Sequence, residues 1–333
     1  MGPSRMSAPR TRIWSVVVPM MFALSLGAQS DWVDKSPHKS GFVTVNNVKL
    51  HYLDWGGKGE TMLFLHGMGD TPHIYDELAP KFTNQFRVLG LTRRGHGQSD
   101  KPETGYDTAT LVEDIRQFLD ALTIQRAVLV GHSMAGDELT RFAGVHPDRV
   151  IKLVYLDAAY DRAGLPEIMK QRPPELSPTK TDMESLDGFR QWVSRMSFWS
   201  DAWEANLREM MVFSSDGKIL REVKPGKVSR LLMQGTVDSR PDYTKIRSQA
   251  LNIAVLGFSS RLSDFVETLP DATRATAQDA LGKTKEFQRQ QTERFRKELP
   301  SARVVVLTNA DHHCFIDRGD DVVREMRAFL ATP

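Results

Sequence analysis

The chain has 333 residues, 40% of them hydrophobic, with 44 Lys and Arg set against 42 Asp and Glu. That is enough apolar material for one large core with room for a lid, and it fits neither disorder, collagen nor coiled coil. The near-balanced charge, with no basic cluster interleaved with aromatics, leaves no electrostatic footprint for nucleic acid, which is not expected as a partner.

At the start, Arg5, Arg10 and Arg12 precede an apolar run from Ile13 to Leu26, and the small residues Gly27, Ala28 and Ser30 come next. This three-part plan predicts a signal peptide over residues 1–30 and hence a secreted or periplasmic protein. Retention as a membrane anchor is the alternative, but the 14-residue run contains Ser15, Pro19 and Ser25 and falls short of the ~20 residues that span a bilayer. No other segment is long and apolar enough, so no transmembrane span is expected after cleavage. Cleavage would take three of the 44 basic residues and no acid, leaving 41 against 42.

Beyond a polar leader from Asp31 to Ser40, two strand-like runs, Phe42 to Val45 and Val48 to Trp55, are joined by Asn46-Asn47, which is good hairpin chemistry. Short apolar runs then alternate with helical patterns: Met62 to Leu65 with Ile74 to Phe82, Phe86 to Leu91 with Leu111 to Leu122, and Ala127 to Val130 with a helix to about Ala143, before Val150 to Leu156. Continuous β-branched and aliphatic runs separated by helices predict a mostly parallel sheet covered on both faces, with the hairpin at its antiparallel edge.

The alternation stops over residues 161–248, a stretch rich in Pro, Met, Trp and charge with no clear strand. It reads as an inserted, mostly helical cap. Trp192, Met196, Trp199, Trp203, Met210, Met211 and Phe213 recur there at roughly helical spacing, which points to packing. Strand and helix resume with Leu251 to Gly257, a charged helix around Ala275 to Leu299, Arg303 to Leu307 and a last helix from about Asp321 to Leu330. The core is thus expected over 31–160 and 249–333.

Ser133 stands where a buried strand meets a helix, in Gly131-His-Ser133-Met-Ala135-Gly136. The small residues allow strand and helix to approach closely, and such a turn lifts a hydroxyl above the sheet with a helix N-terminus behind it. A serine hydroxyl needs a base within hydrogen-bond reach, and the base needs an orienting acid. His146 lies about 13 residues along the same helix, ~20 Å away at 1.5 Å per residue, and cannot reach back. His312 and His313 follow the last predicted strand, in a loop just beyond its C-terminal end where parallel sheets present catalytic groups, so one of the two is the expected base. A paired His also invites a metal reading, but no second cluster with ligand spacing is apparent, and neither metal nor cofactor is expected. Cys314, the only cysteine, excludes an internal disulfide and reads as a small buried hydrophobe beside Phe315 and Ile316.

Four motifs make the chain resemble the α/β-hydrolase superfamily from about residue 42 to the end: His66-Gly67-Met68-Gly69, Arg94-Gly95-His96-Gly97-Gln98-Ser99-Asp100, Gly131 to Ala135, and Asp311-His312. The resemblance implies an eight-stranded α/β-hydrolase fold with a cap. It places the base on His312, the oxyanion donors at the backbone N–H groups of Met68 and Met134, and a turn-shaping role on Arg94, Gly95 and Ser99. The family's usual place for the acid, after the seventh strand, is here Gly257-Phe-Ser-Ser260, without a carboxylate. Asp157, at the end of the sixth strand as in some lipases and lactonases, is the first candidate, with Asp264 and Asp161 as rivals. The resemblance therefore implies a serine hydrolase, a carboxylesterase or lactonase acting on a small hydrophobic ester. Amide, peptide and C–C bond hydrolysis stay open, as does a non-catalytic binding protein on the same scaffold. Related dehalogenases and epoxide hydrolases use an Asp nucleophile, which Ser133 argues against.

Overall fold

The computed structural model describes residues 2 and 32–332, so the expected signal peptide lies outside the described residues. Strands β1 (Lys39–Val45) and β2 (Val48–Gly56) form the expected hairpin. Asn46 and Asn47 carry its turn at φ 46° and 60°, the left-handed pair that a two-residue turn needs and asparagine tolerates. Then come β3 (Thr61–Leu65), β4 (Arg87–Leu91), α1 (Thr108–Ala121), β5 (Ala127–His132), α2 (Ala135–Val145) and β6 (Val150–Leu156). The cap holds α3 (Leu165–Met169), α4 (Leu186–Met196), α5 (Asp201–Met210), β7 (Met211–Phe213), β8 (Ile219–Glu222) and α6 (Gly226–Val237). The chain ends with β9 (Gln249–Leu256), α7 (Ser260–Glu267), α8 (Asp271–Glu298), β10 (Arg303–Thr308), α9 (Cys314–Asp317) and α10 (Gly319–Leu330).

Eight strands form one sheet in the order β1-β2-β4-β3-β5-β6-β9-β10. The two pairings of β2 are antiparallel and all others parallel, as an α/β-hydrolase fold requires. β3 and β5 are buried along their whole length because both faces are covered. Leu63, Leu65, Leu129 and Tyr155 point to one face and pack with α1, α2 and the end of α8. Met62, Phe64, Val128 and Val154 point to the other, against α10 and the turns around residues 72–82.

Two stretches differ from the sequence expectation. The helical pattern over Ile74 to Phe82 becomes two short 3-10 turns, Pro72–Tyr75 and Ala79–Phe82, because Pro72 and Pro80 open each and a proline, lacking an N–H, cannot continue a helix from the preceding turn. The cap, read as strandless, contains the β7–β8 hairpin, closed by a turn with Gly217 at φ 81°. The roof also draws on residues past 248, since Val266, Leu269 and Ala277 of the α7–α8 region cluster with Leu176 and Met196. Among the described residues no helix is long and apolar enough to cross a membrane.

Candidate active site

At the end of β5 the chain turns at Ser133, whose φ of 53° is left-handed for a residue with a side chain. Such a conformation costs about 1–3 kcal/mol and persists only where its surroundings enforce it. Here the enforcing contacts are close: a Cβ on Gly136 would lie 1.9 Å from the Ala158 carbonyl oxygen, and one on Gly131 would lie 2.7 Å from Leu139. Only glycine lets the first turn of α2 settle against the end of β6.

Asp157 stands at that end of β6, also left-handed at φ 46°. Its Oδ2 lies 2.6 Å from His312 Nδ1, while its Oδ1 accepts hydrogen bonds from the Val255 N–H at 2.9 Å and from the Tyr160 hydroxyl. The carboxyl is 2% exposed and the imidazole 46% exposed, so the pair is anchored at its acid end and open at its Nε2 end. His312 is held from behind by His132, whose Nε2 lies 3.0 Å from the His312 carbonyl and whose ring centroid is 4.5 Å from the His312 ring. Burial, then His312, pushes His132 down to about 3, so its imidazole is neutral and donates from Nε2. Ser133 is the next residue after His132 and leaves β5 at the end where His312 stands. No hydrogen bond joins the Ser133 hydroxyl to His312 among the described residues, and such contacts commonly tighten only as the substrate reacts. The rival carboxylates lie elsewhere. Asp161 pairs with Arg294 and Arg240, and Asp264 is exposed on α7.

Beyond β3, the loop carrying Met68 is fastened to the elbow by buried charge. Arg93 forms an ion pair with Glu138 of α2 at 2.7 Å and donates to the His66 carbonyl at 2.9 Å, while His66 Nε2 accepts the Arg93 N–H at 3.0 Å. Burial and the adjacent Arg93 hold His66 at about 3, as an acceptor. Met68 and Met134 share one apolar cluster with Leu232 of α6. Neither backbone N–H donates to a protein acceptor among the described residues. The next loop is structural, as expected: Arg94 makes a two-pronged pair with Asp114, Gly95 takes φ 82°, and Ser99 donates to the Thr92 carbonyl at 2.7 Å.

Sequence reasoning missed the group beside this site. His313 Nε2 lies 3.3 Å from Asp70 and its Nδ1 3.7 Å from Asp311, with the rings of His132 and Trp203 each 4.6 Å away. Burial opposes a charge there, but Asp70 and Asp311 outweigh it and raise His313 to about 9, an imidazolium between two carboxylates. Asp70, His132 and His313 do offer three ligand atoms within 4.8 Å of one another, but His313 already balances the acids. Asn206 of α5 clamps the cap onto this loop, accepting from the Thr71 N–H at 2.6 Å and donating to Asp70.

Under the cap a cavity of about 410 Å³ opens onto His312 and His313, walled by Trp192, Met196, Trp203 and Leu262. Arg172 also lines it. Among the described residues the Arg172 guanidinium makes no ion pair, and burial alone lowers its pKa. The indole N–H groups of Trp192 and Trp203 are likewise buried without an acceptor.

A family model described as alpha/beta hydrolase fold matches residues 60–319. The chain is 32% identical over 163 residues to a non-heme chloroperoxidase of Streptomyces lividans, covering 47% of this chain and 56% of that one. It is 36% identical over 101 residues to a 2-(acetamidomethylene)succinate hydrolase of Mesorhizobium japonicum, covering 30% and 36%. The matches thus span about half or less of these relatives' lengths. Among solved structures, E-2-(acetamidomethylene)succinate hydrolase superposes with a TM-score of 0.67 at 22% identity, covering 89% of this chain and all of that one. An enol-lactonase of Burkholderia xenovorans gives a TM-score of 0.55 at 20% identity, covering 88% and 100%. At these identities the structural likeness speaks for the fold.

Proposed function

The chain belongs to the α/β hydrolase family, and we propose that within it this protein is a serine hydrolase that cleaves an ester-type bond through an acyl-enzyme on Ser133. The observation that carries the reading is the Asp157–His312 pair at 2.6 Å, set beside the left-handed turn at Ser133. With Nδ1–H donated to Asp157, the Nε2 lone pair of His312 is left to accept the Ser133 proton as Oγ attacks the substrate carbonyl. The oxyanion is received by the N–H groups of Met68 and Met134, which have no protein acceptor among the described residues. His312 then returns the proton to the leaving group, and water, deprotonated by the same imidazole, releases the acyl group.

The cavity refines the substrate. Aromatic and aliphatic walls favour an apolar acyl group, while a guanidinium and two indole N–H groups, unpaired among the described residues, favour one that also carries a carboxylate. An amide of similar shape is the second reading, because one relative bears the name of an acetamidomethylene hydrolase.

A fluorophosphonate probe tests the nucleophile: the folded wild type is labelled and Ser133→Ala is not, with ester turnover falling by about 10⁴ to 10⁶. Equal labelling of Ser133→Ala, or none of the folded wild type, defeats the reading. We also propose export guided by residues 1–30, checked by fractionating cells and sequencing the N-terminus of the secreted or periplasmic form.

A further inference from the structure

Away from the substrate cavity, the leader runs against the core beside α5. Asp34 Oδ2 lies 2.9 Å from His38 Nε2 and 3.5 Å from His73 Nδ1, and Asp76 Oδ2 lies 2.8 Å from His73 Nδ1. One ligand atom from each of these four residues falls within 4.8 Å of the others. In a tetrahedral zinc site with bonds of about 2.0–2.1 Å, neighbouring ligand atoms stand roughly 3.4 Å apart. The four atoms already bracket that spacing.

The surroundings are those of ligands held for a cation. His73 Nε2 faces Glu209 Oε2 at 3.4 Å, the arrangement in which a carboxylate orients a metal-bound imidazole from its far nitrogen. Asp76 Oδ1 accepts from the Trp55 indole at 2.9 Å, and Asp34 Oδ1 from the Ser36 N–H at 2.8 Å. Each carboxylate is therefore fixed through one oxygen with the other turned inward. Among the described residues no Lys or Arg pairs with Asp34, Asp76 or Glu209. Among the described residues the only ion-pair partners of these three carboxylates are thus histidines. A surface cavity of about 610 Å³ lined by Asp34 and Asp76 provides an entry path.

We propose that Asp34, His38, His73 and Asp76 bind one divalent transition-metal ion, with zinc the best match, as a structural site that staples the leader to the core. Two ligands come from the leader and two from the turn after β3, and Glu209 of α5 orients one of them. The ion therefore joins leader, core and cap at one point, independently of the chemistry at Ser133.

The test uses the full chain, stripped with a chelator and titrated with zinc chloride, and with cobalt chloride for its tetrahedral d–d absorption. The expected result is one saturable equivalent, an intense visible cobalt spectrum and a rise in Tm on adding zinc. His38→Gln and Asp76→Asn, each verified as folded by circular dichroism, lose the spectrum and the Tm rise. Glu209→Gln keeps the stoichiometry but binds about 10–100-fold more weakly. His313→Gln binds like wild type, which separates this cluster from Asp70, His132 and His313. The proposal is overturned if folded wild type binds no stoichiometric metal, if His38→Gln and Asp76→Asn bind unchanged, or if His313→Gln alone abolishes binding.

Discussion

Asp157 concentrates the site's constraints in one side chain. Its backbone is left-handed, one oxygen is committed to Val255 and Tyr160, and only the other is free to face His312. On the proposed mechanism, an amide placed there keeps the volume but loses the charge that would select the Nδ1–H tautomer and steady the imidazolium formed during attack. Asp157→Asn is therefore expected to lower kcat by about 10⁴, as in other triads, with KM little changed. Asp264→Asn, on an exposed face of α7, leaves turnover at the wild-type level. Steady-state kinetics on one good ester decide the matter; a fast Asp157→Asn paired with a dead Asp264→Asn would reverse the assignment of the acid.

At the scale of elements, the cap decides what reaches His312. α4 contributes Trp192 and Met196, α5 contributes Trp203, and the segment after α3 contributes Arg172 to the same cavity. A guanidinium that lines the cavity and makes no ion pair among the described residues suits the proposed carboxylate-bearing substrate. Arg172→Gln should then lower kcat/KM about tenfold for esters bearing a carboxylate on the acyl side, the worth of about 1.4 kcal/mol, and leave neutral esters of equal length unaffected. A matched panel of the two ester types measures this, and equal losses on both would reduce Arg172 to a packing residue. The elements themselves were unevenly legible. The core strands announced themselves as continuous apolar runs, the Asn46-Asn47 turn by composition, and the elbow by its small residues. The β7–β8 hairpin did not, because strands of three and four residues are too short to show a period. The 72–82 stretch carried apolar spacing that suited a helix, and the prolines that broke it had to be weighed against that signal. The Asp70–His313–Asp311 bridge joins residues 243 positions apart at its longer contact, a pairing that no local pattern encodes. The four residues of the leader cluster show the same limit. Asp34 and His38 are four apart and His73 and Asp76 three apart, but only the folded chain brings the two pairs together.

For the whole molecule, buried histidines make stability depend on pH in a way whose sign can be worked out. His66 and His132 are held at about 3, chiefly by burial. Because those folded values lie below the ordinary value of about 6.5, the contribution is complete above about pH 6.5 and lost as pH falls below it. Asp137 works the other way: burial outweighs Arg162 and raises it to about 7, so lowering the pH from 7 toward 4 favours the folded state at that residue. The two effects oppose each other on the acid side and blunt any steep acid limb there. Above about pH 7 the two histidines have finished titrating, and Asp137 does so by about pH 8. His313, raised to about 9 against burial by Asp70 and Asp311, then dominates. Its stabilisation is fully present below about pH 6.5 and is lost as pH climbs to 9. Thermal unfolding of the wild type should therefore show Tm declining between about pH 7 and 9. His313→Gln should start lower and decline much less over that interval, since its amide can bond Asp70 but cannot lose a charge. If both proteins decline in parallel across that range, the imidazolium between Asp70 and Asp311 is not what ties the histidine loop to the loop after β3.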